Sequence, residues 1–70
     1  PGRKIAIKIQ CTWDQNHKES INVVFGDEWI AGNLSYHLES RPVWEGPITK
    51  NKLNSLSKFM CIDNTCIGKK

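Results

Sequence analysis

Residues 4–13, KIAIKIQCTW, alternate without a break: Ile5, Ile7, Ile9, Cys11 and Trp13 on one parity, Lys4, Ala6, Lys8, Gln10 and Thr12 on the other. A period of two sends successive side chains to opposite faces of a strand, so the segment is predicted to be a half-buried β-strand. After the polar run DQNHKES, the stretch INVVF (21–25) alternates again, with Ile21, Val23 and Phe25 against Asn22 and Val24. This predicts a second strand, joined to the first as a hairpin with a long loop. GDE (26–28) reads as a turn. WIAGNLSYHLE (29–39) then reads as a third strand, with Ile30, Leu34, Tyr36 and Leu38 inward, Trp29 outward, and Gly32 at a bulge or close approach.

The period changes in the C-terminal third. RPVWEGP (41–47) is bracketed by prolines and reads as an extended connection or a short edge strand containing Val43 and Trp44. In ITKNKLNSLSKFMCI (48–62), Leu53, Leu56 and Met60 recur at helical spacing with Phe59 beside them. Thr49 stands where an N-cap hydroxyl would accept from the first turn, and Ile48 with Leu53 matches a hydrophobic staple. The resulting expectation is one α+β domain over residues 1–70: a three-stranded antiparallel meander with one C-terminal helix packed on one face. The other sheet face would then show Lys4, Lys8 and Trp29 to solvent or to a partner.

Composition supports a folded chain, since 39% hydrophobic and 24% charged residues lie far from the profile of disorder. Seventy residues is near the size at which small domains often add a disulfide, a metal or a partner. No apolar run approaches the roughly 20 residues of a membrane span, and PGRKIAIKIQ lacks the apolar region of a signal peptide. These features predict a soluble protein with no membrane association.

The net charge of +3 is unevenly placed. Arg3, Lys4 and Lys8 stand without an acid in residues 1–13; six acids outnumber Lys18 and Arg41 in 14–47; and Lys50, Lys52, Lys58, Lys69 and Lys70 face only Asp63 in 48–70. Basic ends around an acidic middle suit an anionic partner.

Cys61 and Cys66 could form half of a zinc site, a small disulfide loop, or two plain thiols. Zinc would need two more ligands from Cys11, His17 and His37, which the predicted strands do not bring together. The odd count of three cysteines favours free thiols in a reducing, intracellular compartment. Neither metal nor cofactor is expected. Nor is catalysis: parity separates Cys11 from His37, and the chain contains no phosphate-cradling glycine loop, HExxH or GxSxG element. Asn33-Leu34-Ser35 matches a glycosylation sequon inside a predicted strand and is discounted.

Residues 48–70 resemble the first helix and turn of SAP-type DNA-binding motifs through Thr49, Leu53, Leu56, Ile62 and the closing Gly68-Lys69-Lys70. The resemblance stops where a second helix should begin, too short to identify a family, and it points toward nucleic acid. Two functions therefore stand as expectations. One is a small non-enzymatic module that binds nucleic acid, with Lys4, Lys8, Lys50, Lys52, Lys58, Lys69 and Lys70 on phosphates and Trp29 stacking on bases. The other is an inhibitor or adaptor that binds a protein through Trp29, Trp44 and the acidic loops.

Overall fold

The structure is a computed structural model and describes residues 2–70. Its elements run α1 (Gly2–Asn16), β1 (Val23–Gly26), α2 (Glu28–His37), β2 (Val43–Trp44), α3 (Lys50–Asn54), β3 (Lys58–Ile62) and β4 (Thr65–Lys69). The strands form one sheet in the order β2-β1-β4-β3, with β1 and β2 parallel and the other two pairs antiparallel. The α+β class holds. The three-stranded meander with a single C-terminal helix does not, because the sheet has four strands and one parallel pair, and three helices accompany it.

The predicted first strand is helix α1. Its apolar residues satisfy two periods at once: Ile5, Ile7 and Ile9 alternate, but Ala6, Ile9 and Trp13 recur at i, i+3, i+7, and those three are buried. Both hydrogen-bonding edges of β1 are occupied, by β2 and β4, so residues 4–13 have no place beside it. A helix closes its own backbone bonds and needs no such edge. Polar side chains add local bonds one turn apart, from Gln10 to Asp14, from Thr12 to the Lys8 carbonyl and from Asn16 to the Thr12 carbonyl. Ile5 and Ile7 remain exposed as a consequence.

The predicted third strand is also a helix, α2. Asp27 is its N-cap and not a turn residue: Oδ1 accepts from Trp29 N at 2.9 Å and from Ile30 N at 3.4 Å. Glu28 in the first turn complements the positive end of the helix. Ala31, Leu34 and Leu38 then fall on one buried stripe, and Tyr36, expected inside, faces out.

The C-terminal half divides differently from its prediction. Thr49 does cap a helix, its hydroxyl accepting from Lys52 N at 3.2 Å. That helix ends at Asn54, and the residues expected to continue it form the hairpin β3–β4, closed by Asp63 and Asn64 with Asp63 at φ 53°. Strand geometry therefore replaces the helix on which the SAP resemblance rested. Ser55 and Ser57, weak helix formers, stand where the helix stops. Gly68 is required in β4, because a Cβ there would lie 2.6 Å from both the Lys58 carbonyl oxygen and Leu56 Cδ1.

The sheet is covered on both faces. On one side, Val24 and Ile67 meet Ala6, Ile9, Trp13, Ala31, Leu34 and Leu38 of α1, α2 and the α2 C-cap. On the other, Val23, Phe25 and Cys66 meet Ile48, Leu53 and Leu56 around α3. No open sheet face carries Lys4, Lys8 and Trp29; all three sit on helices. Trp13 is fully buried, as expected, with its indole N–H donating to the Glu19 carbonyl. Val43 and Trp44 form the predicted short edge strand, β2.

Candidate binding surface

Cys61 and Cys66 are directly opposite in the β3–β4 register and form a disulfide, with Cα atoms 4.0 Å apart. This corrects the free-thiol reading and removes the argument for a reducing compartment that rested on it. Cys66 is buried against Phe25 and Val23, while Cys61 is exposed at the hairpin edge. Cys11, expected inside, is exposed on α1 as a free thiol and lines a shallow groove with His37. Among the described residues no three Cys, His, Asp or Glu side chains gather as a metal site. Nor is any helix among them long and apolar enough to cross a membrane.

The eight residues proposed from sequence do not converge. Lys4 and Lys8 lie one turn apart on the exposed side of α1, and Trp29 lies on α2, on the same side of the sheet. Lys50 and Lys52 belong to α3, on the opposite side. Three of the lysines are engaged within the chain. Lys52 Nζ donates to the carbonyls of Glu45 at 2.9 Å and Pro47 at 3.1 Å. Lys58 Nζ pairs with Glu19 Oε2 at 2.6 Å, and Lys70 pairs with Glu45. The Lys58 hydrogen bond holds the Glu19 carboxyl below its ordinary range, assisted by backbone hydrogen bonding and opposed by desolvation. Lys69 is half-buried at the end of β4.

What the fold assembles instead is an aromatic groove on the outer face of α2. Because Ala31, Leu34 and Leu38 face the core, Trp29, Gly32, Asn33 and Tyr36 face away from it, and these four line the groove together with Asp27 and Glu28. Trp29 is 74% exposed and Tyr36 66%. Between them, Gly32 has nothing within 4 Å of where its Cβ would be, so it leaves an open floor and makes no close backbone approach. Asn33 Nδ2 donates to the Trp29 carbonyl at 2.6 Å, which lays the Asn33 side chain back along the helix.

Tyr36 is braced. The guanidinium of Arg41 lies 5.0 Å from its ring centroid, and His37 meets it edge-on at 4.9 Å. Arg41 reaches this position from a left-handed backbone, φ 50°, a conformation uncommon for a residue with a side chain, and its N–H donates to the Leu38 carbonyl at 3.0 Å. Trp44, by contrast, is half-buried with its indole N–H on the Gly26 carbonyl at 3.0 Å, which gives it a structural place at the sheet edge. Sequence reasoning identified Trp29 but missed Gly32, Tyr36 and Arg41. The available signal was Asp27 followed by apolar residues 31, 34 and 38, which places residues 29 and 36 together on the opposite stripe.

Comparison with protein families, curated proteins and solved structures found no match.

Proposed function

We propose that this chain is a non-enzymatic protein-binding module whose contact surface is the outer face of α2. The observation that carries this reading is the pair of exposed aromatic rings, Trp29 and Tyr36, on either side of the open floor at Gly32. Trp and Tyr present large, stiff, amphipathic surface at small entropic cost and dominate the energetics of protein interfaces. Phosphate is poorly suited to this face. The Trp29 and Ile30 N–H groups at the start of α2, which would otherwise attract an anion, are already taken by the Asp27 carboxylate, and Glu28 adds a second negative charge.

Affinity capture from a source lysate, after nuclease and at moderate salt, should retain a protein on the wild-type chain. Trp29→Ala and Tyr36→Ala should each release it, and the purified partner should bind the wild type directly with at least about tenfold loss in each variant, the effect of a hot-spot residue. Retention unchanged by both substitutions would overturn the reading. Nucleic acid stays as a second reading because Lys4 and Lys8 are exposed one turn apart and make no ion pair among the described residues. It requires oligonucleotide affinity to fall with salt at a log–log slope near −2, about −0.9 for each of the two contacts, and Lys4→Gln with Lys8→Gln to abolish that slope.

A further inference from the structure

Building on the protein-binding reading, we infer that the α2 groove receives a basic side chain, arginine or lysine, from the partner protein, with its cation seated on the Trp29 ring.

Charge and shape both select this occupant. At the N-terminal end of the groove, Asp27 and Glu28 flank Trp29, and neither carboxylate is in an ion pair among the described residues. Asp27 spends Oδ1 on the helix cap. The two carboxylates more than offset the partial positive charge of the helix start, about half an elementary charge, and leave this end of the groove negative. Among aromatic side chains, the face of tryptophan attracts a cation most strongly. At the other end, Tyr36 already carries a guanidinium on its ring, that of Arg41, so the same type of contact is formed by the chain itself one groove-length away. Arg41 also makes the groove directional: a second cation is repelled from the Tyr36 end and drawn to the Trp29 end.

Trp29 and Tyr36 are seven residues apart in one helix, about 10 Å along the axis at 1.5 Å per residue. With Gly32 contributing no side chain between them, that spacing leaves room for one side chain laid between the rings. The bracing of Tyr36 by Arg41 and His37 keeps one wall ordered before binding, which limits the entropy lost on association.

The test is a titration of the full ¹⁵N-labelled chain with four acetylated, amidated pentapeptides of glycine carrying two arginines, two lysines, two citrullines or two glutamates. The Trp29 indole N–H and the Gly32 and Asn33 amides should shift saturably with the arginine and lysine peptides. The buried Trp13 and hydrogen-bonded Trp44 indoles should stay still. Citrulline keeps the planar shape without the charge and should bind at least about tenfold more weakly, the loss of a cation–π and carboxylate contact together. Glu28→Gln should weaken the arginine peptide about two- to fivefold, the usual worth of one exposed charge pair. Citrulline binding as tightly as arginine, at the same residues, would refute the basic-side-chain inference while leaving α2 as the interface. Shifts confined to the α1 residues around Lys4 and Lys8, strongest with the glutamate peptide, would refute the inference and the interface together. Dilution-dependent shifts at Gly32 and Trp29 without peptide would make the occupant a second copy of the chain and overturn the proposal.

Discussion

On the side of the sheet covered by α1 and α2, nine buried residues from both helices, two strands and adjoining loops form one cluster, with Trp13 at 0% exposure. On the α3 side three buried residues, Val23, Phe25 and Cys66, are covered by the half-buried Ile48, Leu53 and Leu56. The first side relies on apolar burial. The second has a five-residue helix with no buried residue of its own. It is held by the Cys61–Cys66 disulfide and by Lys52 Nζ reaching across to the carbonyls of Glu45 and Pro47. A small domain with a core too thin to cover both faces of its sheet can complete the weaker one with a covalent link. The two faces should therefore fail under different insults, and the aromatic groove, mounted on the well-packed side, should be insensitive to events on the other.

The largest effect should come from the thick side. Trp13→Ala removes a fully buried ring and its bond to the Glu19 carbonyl, and should cost about 3–5 kcal/mol in urea denaturation, enough to unfold many domains of this size. Leu53→Ala, on the half-buried side, should cost clearly less. Equal losses would end the distinction between the faces.

Next is the covalent link. Cys61→Ser with Cys66→Ala should lower stability by about 2 kcal/mol, the chain-entropy estimate for so short a loop, and should make the protein indifferent to dithiothreitol. In the wild type only Cys11 should react with a thiol reagent before reduction, and all three cysteines after reduction and unfolding. Peptide titration at Trp29 should be unchanged in the double variant, because the substitutions lie across the sheet. A native protein with three reactive thiols would contradict the structure directly.

The helix caps allow a closer comparison. Thr49→Ala and Asp27→Ala each remove a cap hydroxyl or carboxylate, and each should cost about 1 kcal/mol. Only the second should also shift the amides of the Trp29 groove. The smallest effect belongs to the exposed Glu19–Lys58 pair, which ties the loop after α1 to β3. The carboxyl is held below its ordinary value in the folded state, so its contribution is present above the unfolded-state value near 4.5 and is lost as pH falls through the lower folded value. Glu19→Gln should flatten the acid limb of a pH–stability curve slightly and leave the curve's shape above pH ~6 unaltered. High salt should remove most of the difference, as for any exposed ion pair.

Part of this arrangement was legible in the residues alone. Thr49 caps a helix, 21–25 contain a strand, Val43 and Trp44 form a short extended edge, Trp13 is core and Trp29 is exposed. The first three follow from features spanning four or five residues: a hydroxyl before a turn, an apolar β-branched run, a proline bracket. Trp13 and Trp29 were placed correctly by a strand parity that the helices replace. The candidate surface was half legible, since Trp29 stood out but Tyr36 was assigned to the wrong face. A strand reading of 29–39 puts Tyr36 inside with Leu34 and Leu38, whereas a helix reading separates them. Period two in place of 3.6 across α1 and α2 misplaced Ile5, Ile7, Cys11, Ile30 and Tyr36 and put Lys4 and Lys8 on a sheet face. Ile9, Trp13, Leu34 and Leu38 are buried as expected, although in helices or at a helix cap.

The residues alone determined a few local features: the cap at Thr49, a strand within 21–25, the short extended edge at Val43 and Trp44, and a composition able to fold. Tertiary structure decided the rest. KIAIKIQCTW carries enough apolar residues for either period, and the strand became unavailable once β2 and β4 had taken both edges of β1. KFMCI could have extended α3 but pairs with β4, because an exposed edge of β4 offers five residues of ladder and places Cys61 opposite Cys66. In both cases local propensity is nearly balanced, and the outcome belongs to whichever backbone edge is left to satisfy, a quantity defined only when the whole chain is in place.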